Sequence, residues 1–222
     1  MIVSHKHKYI YLKTPKTAGT SIEIALRPFC GNRDIVTPLT YPNQRWDDAD
    51  YDSCGWNCAS VREHSKKPEV VKVIGQETWN KYFTFAGVRN PWDAEASLYW
   101  WTVNAVIPSN NYKVVPRGIE EFLQWHVNRG YGGSLFNKGF IFDGGGFAVD
   151  DFIRYERLDE DCRRIFAKIG LPFTGLSRTK SKTRPVGMHY SEIYTDVSRR
   201  MVEEIYADTI QAFGYEFEDK RE

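Results

Sequence analysis

The chain has no long hydrophobic run: no apolar stretch reaches 18 residues, and the N-terminal MIVSHKHKYIYLK lacks the apolar centre of a signal peptide. These absences lead us to expect a cytoplasmic protein with no membrane partner. Cysteine is sparse. Cys30, Cys54, Cys58 and Cys162 form no disulfide framework, and no histidine pair at finger spacing follows Cys54 and Cys58, so thiols in a reducing compartment are expected and no metal. Net charge is also nearly missing. Thirty basic against 29 acidic side chains leave +1, which argues against a general nucleic-acid binder and confines any anion site to a local cluster.

What remains is a soluble-protein composition over 222 residues, most simply one domain, 1–222. Tyr9–Leu12 and Tyr82–Val88 read as buried strands, and 152–155 as a further one. Helices are expected over about 20–26, 61–74 (broken by Pro68), 91–104, 119–129, 157–169 and 196–213. Strands alternating with helices indicate an α/β fold, a parallel sheet flanked by helices. Residues 30–60 and 103–148 stand out as excursions, the second dense in glycine.

Two turns carry candidate chemistry. YIYLKTPKTAGTSIEIAL passes from a strand to a helix through Lys16, Thr17, Ala18, Gly19, Thr20 and Ser21. Backbone N–H groups at such a turn, a helix dipole and a lysine can hold a phosphate; a plain strand-to-helix turn with a surface lysine is the ordinary alternative. A nucleotide-binding loop would place its lysine after a second glycine. Here Lys16 precedes Gly19, which fits ATP poorly. The second turn, FTFAGVRNPWDAEASLYWW, puts Arg89 at a strand end, Asn90 and Pro91 at a helix start, and Ser97 two turns on. Arg89 suits a second phosphate, with Ser97 within reach along the helix, or else it makes a structural ion pair.

KTPKTAGTS and VRNPWDAEASLYWW together resemble the two signature segments of the sulfotransferases that use 3′-phosphoadenosine 5′-phosphosulfate (PAPS), in the carbohydrate branch of heparan and chondroitin enzymes and small bacterial relatives. The C-terminal DDFIRYERLDEDCRRIFAKIGL and HYSEIYTDVSRRMVEEIYADTIQAFGYEFE are similar too. The resemblance implies a P-loop nucleotide-kinase-like fold and PAPS as co-substrate. It places the 5′-phosphosulfate on the Lys16–Ser21 turn and the 3′-phosphate on Arg89 and Ser97. The acceptor it implies is a hydroxyl on a sugar or glycan. Lys16 would stabilise the leaving phosphate. His64 would be the base, with Glu63 its alternative. His5 and His7 sit in a polar leader and read as solvated. The basic loop Arg178–Arg184 is either a solvated loop or lies near the nucleotide, and Trp100, Trp101 and Trp125 suit core better than sugar stacking. A kinase of related fold and a non-catalytic nucleotide or sulfated-ligand binding module are the competing functions. Acceptor identity and oligomeric state are not written in the sequence.

Overall fold

The computed structural model describes residues 1–38, 61–110, 115–128, 138–177 and 184–221. Cys54, Cys58 and the basic loop before Arg184 lie outside them. The chain begins with β1 (Ile2–Ser4), β2 (Tyr9–Leu12), α1 (Gly19–Leu26) and β3 (Ile35–Val36). Then come α2 (Lys67–Ile74), α3 (Gln76–Lys81), β4 (Phe83–Val88), α4 (Pro91–Trp101), α5 (Ile107–Asn110) and α6 (Ile119–His126). The remainder holds α7 (Lys138–Ile141), β5 (Phe142–Asp143), β6 (Gly146–Phe147), β7 (Asp151–Arg154), α8 (Leu158–Lys168), α9 (Asp196–Ile205) and α10 (Ala207–Phe213). Two compact units result, one of residues 1–88 and 139–179, the other of 89–138 and 180–222.

The first unit is built on a sheet of order β3-β1-β2-β4-β7. β2, β4 and β7 are parallel, as expected, whereas β1 runs antiparallel to both β2 and β3. The sheet is therefore mixed. Residues 5–8 between β1 and β2 are too few for a crossover and can close only a hairpin. What the sequence suggests to be a polar leader is thus a strand and a turn, and His5 is half-buried rather than simply solvated: its Nδ1 lies 2.8 Å from the Tyr82 hydroxyl.

Side chains alternate across the sheet, and both faces are covered. Tyr9, Tyr11, Phe85 and Ile153 pack with Ile22 and Leu26 of α1 and with Cys162, Ile165 and Phe166 of α8. Val3, Ile10, Leu12 and Ala86 pack on the other side with Val70, Trp79, Phe140 and Val149. Burial on two faces explains why β4 reads as an almost unbroken apolar run. Along β7, α8 supplies partners to the backbone: Arg164 donates to the Phe152 carbonyl at 3.0 Å, and the Arg154 N–H donates to Asp161 at 2.8 Å.

The second unit packs Trp92, Ala96, Leu98 and Tyr99 of α4 against Phe122 and Leu123 of α6, and against Tyr190, Tyr194, Val202 and Tyr206. Trp100, Trp101 and Trp125 lean on this cluster, half-buried. α4 continues through a π-helical turn, Thr102–Val106. The helix expected over 196–213 breaks at Tyr206, whose hydroxyl is turned inward onto the buried Glu95. Burial pushes that carboxyl up to about 7, with the Tyr206 bond opposing. Among the described residues no helix is long and apolar enough to cross a membrane.

Gly87 lies where β4 passes the β2–α1 turn. A methyl group there would come within 2.8 Å of Thr17 Cβ and 3.0 Å of Thr14 Oγ1. Gly87→Ala should destabilise the protein by about 1–3 kcal/mol through overpacking. Gly146→Ala, with nothing within 4 Å, should change stability by less than about 0.5 kcal/mol. Urea unfolding of the two variants beside the native chain measures both.

Candidate active site

β2 ends at Leu12, and the chain then turns tightly into α1. Thr14 Oγ1 donates to the Gly87 carbonyl at 2.6 Å, Thr17 Oγ1 donates to the Thr14 carbonyl at 3.0 Å, and the two hydroxyl oxygens are 3.0 Å apart. These bonds hold a backbone that L residues resist. Lys16 and Ala18 have φ of 61° and 60°, a left-handed conformation costing about 1–2 kcal/mol per residue. The turn is accordingly over-determined by its buried threonines and β4. α1 begins at Gly19, and among the described residues no side chain caps it. The first N–H groups of a helix have no partner inside it, and they carry the positive end of its dipole. Lys16 and Ala18 are half-buried, and Thr17, Gly19, Thr20 and Ser21 are buried. This stretch therefore presents a lysine, a left-handed turn and a helix start with no side-chain cap among the described residues.

Lys13 and Glu23 are functional candidates that sequence patterns did not single out. Lys13 is 2% exposed, its ammonium 3.0 Å from Glu23 Oε2 and bonded to Glu63 Oε1. Glu23 also receives Arg27 at 2.9 Å and the Met1 amino nitrogen at 3.2 Å. Burial pushes the Glu23 carboxyl upward, and the surrounding cations more than reverse this, so it stays ionised. A glutamate inside the apolar α1 and a lysine directly after an apolar strand were the available signals.

His64 does not lie on a helix. Residues 61–66 form a turn, in which the Arg62 N–H donates to Ser65 Oγ at 2.9 Å. α2 starts only at Lys67, with Pro68 in its first turn, where proline is compatible with a helix rather than breaking it. This turn brings His64 Nδ1 to 2.7 Å from the Lys13 carbonyl. A carbonyl only accepts, so Nδ1 carries the proton and the neutral ring keeps its lone pair on Nε2. Part of the residue is exposed. Protein packed around the rest of the ring lowers its pKa below the usual 6.5, aided by the Lys13 ammonium and opposed by the carbonyl bond and Glu63. Glu63, the other base candidate, is engaged by Lys13.

In the second unit, Asn90 caps α4 by accepting from Trp92 N–H at 3.1 Å and Asp93 N–H at 3.5 Å, with Pro91 following, as the sequence indicates. Arg89, the residue directly after β4, is 7% exposed. Its Nε and Nη2 reach Asp93 Oδ2 at 2.7 and 2.6 Å, and the other oxygen of Asp93 takes Arg184. One carboxylate thus gathers two guanidiniums. Ser97 is half-buried four residues beyond Asp93, on the same side of α4. The i,i+4 spacing of Arg89 and Asp93 was the available signal for Asp93, whereas its second partner, Arg184, is distant in sequence. Among the described residues no group of three or more His, Cys, Asp or Glu side chains gathers as a metal site.

No family model matches the chain, and no curated protein matches it in sequence. Its fold is shared. A structure of mouse sulfotransferase SULT7A1 complexed with PAP superposes with a TM-score of 0.51 over 95% of this chain and 86% of that one, at 12% identity. The chain has a sulfotransferase fold. That relation covers the mixed sheet and its flanking helices, and at this identity it speaks for the architecture alone.

Burial pushes the Asp93 carboxyl upward, but Arg89 and Arg184 more than reverse it, holding it below the usual 3.8. Its contribution to stability is therefore present above about pH 4 and is lost as pH falls. Asp93→Asn should cost about 2 kcal/mol at pH 7 and flatten the acid limb of a stability–pH curve. Denaturant titrations at pH 3, 5 and 7 test both parts.

Proposed function

We propose that this protein is a sulfotransferase that moves a sulfuryl group from PAPS to a hydroxyl on a sugar or glycan. The observation that carries the reading is the cradle itself: a lysine ahead of the glycine, in a left-handed turn before an uncapped helix, on a fold also adopted by a sulfotransferase whose structure holds PAP. A nucleotide kinase loop would have its lysine on the other side of that glycine.

In this reading the turn from Lys16 to Ser21 binds the 5′-phosphosulfate, and Arg89 with Ser97 bind the 3′-phosphate. The acceptor oxygen attacks sulfur in line as the bond from sulfur to the bridging oxygen breaks. Its electron pair leaves on the 5′-phosphate, where Lys16 and the turn amides neutralise the charge. The acceptor proton passes to His64 Nε2, the basic nitrogen of the tautomer favoured by the Lys13 carbonyl. The engagement of Glu63 by Lys13 favours His64 over Glu63 for this role.

Calorimetry with adenosine 3′,5′-bisphosphate, against ATP–magnesium and AMP, tests the nucleotide class. Clear preference for the bisphosphate, weakened at least about tenfold in Arg89→Ala, is the expected outcome. Equal or tighter binding of ATP would overturn the reading. Lys16→Ala should lower turnover about 10²–10³-fold with a much smaller effect on bisphosphate affinity; a pure binding module would show no turnover to lose.

The pH profile supplies a second check. A base whose pKa lies below 6.5 is already neutral at pH 7, so kcat/KM should rise with pH along a limb centred below about 6.5 and then level. His64→Ala should lower turnover about 10²–10⁴-fold and abolish that limb.

A further inference from the structure

Lys13 is an unexpected residue at the end of a buried strand. Taking an ammonium out of water costs several kcal/mol even after relaxation, and buried ion pairs seldom outperform apolar residues of the same size. Glu23 and Glu63 offset that cost, yet a leucine here would need neither. The contacts of Lys13 show what the charge is placed to do.

Its two ends grip neighbouring residues of one turn. The side-chain ammonium holds Glu63, and the backbone carbonyl accepts from Nδ1 of His64. Its stem also underlies the start of α1, where a methyl group on Gly19 would meet Lys13 Cγ at 2.8 Å and Cε at 3.3 Å. One residue thus touches the helix start of the anion cradle and the turn that carries the imidazole, three positions ahead of Lys16.

We propose that Lys13 is a positioning residue for the acceptor base: its carbonyl sets the His64 tautomer, and its ammonium, by pairing with Glu63, keeps the imidazole neutral and the turn in register with the cradle. This rests on the reading of His64 as that base. The titratable groups facing the ring are the Glu63 carboxylate, which favours imidazolium, the Lys13 ammonium, which opposes it, and the Met1 amino group, which opposes it only when protonated and whose pKa burial lowers to about 6. Removing Lys13 leaves Glu63 without that counter-charge beside His64, so the ring becomes easier to protonate. Removing the Glu63 charge does the opposite.

The sign of each change distinguishes positioning from simple structural support. Histidine side-chain ¹⁵N–¹H correlation spectra of the full chain, free of nucleotide, should show His64 as the neutral Nδ1-protonated tautomer at pH 7. Lys13→Met should move its titration upward by about one pH unit, Glu63→Gln downward, and the double variant should return it close to the native position. Lys13→Met should also lower kcat about 10–100-fold while bisphosphate affinity stays within about threefold. If Lys13→Met does not fold, the native tautomer and the Glu63→Gln titration still decide.

An Nε2-protonated tautomer in the native protein, or a His64 titration unmoved by both charge changes, would overturn the proposal. Failure of the bisphosphate titration would instead overturn the sulfotransferase function, because the spectra are recorded without nucleotide and do not depend on it.

Discussion

The hydroxyl of Thr14 donating to the carbonyl of Gly87 couples two parallel strands through a group that is not part of the ladder. A turn with two non-glycine residues in the left-handed region is costly alone, and a local sequence cannot hold it. Thr14 and Thr17, both buried, supply the constraint by bonding to β4 and to each other. Gly87 must lack a side chain for the two threonines to fit. The backbone from Lys16 into α1 is shaped as a consequence, so the geometry of this turn is set by its buried threonines together with the strand β4 beside it.

Chain distance separates what could be read in advance from what could not. The Lys16 turn and the Arg89–Asn90–Pro91 helix start are local patterns whose meaning lies within a few residues, and the structure forms both. The parallel strands were legible because burial on two faces leaves an apolar run. β1 was hidden because three apolar residues before a polar turn are too few to show a period. Pro68 misled for a physical reason: it opens α2 and does not interrupt a longer helix, so His64 sits on a turn. The Lys13–Glu63 and Asp93–Arg184 pairs join residues far apart in the chain, and no local pattern announces them.

Charge is handled in contrasting ways in the two units. Around Glu23 cations and carboxylates nearly balance in a dry interior, where salt screens little. Around Asp93 two guanidiniums share one carboxylate at the start of α4. The near-neutral total charge conceals this local division, so solution behaviour dominated by net charge would reveal neither arrangement.

The hydrogen bonds that α8 makes to β7 bear on how the protein behaves when crowded. An outer strand with unsatisfied N–H and C=O groups is a template for another chain, and proteins commonly blunt such edges. Arg164 occupies the Phe152 carbonyl and Asp161 the Arg154 N–H, while the opposite border of the sheet, β3, is only two residues long. Among the described residues, each border is thus blunted as a template for a further strand, β7 by side chains that occupy its backbone and β3 by its shortness.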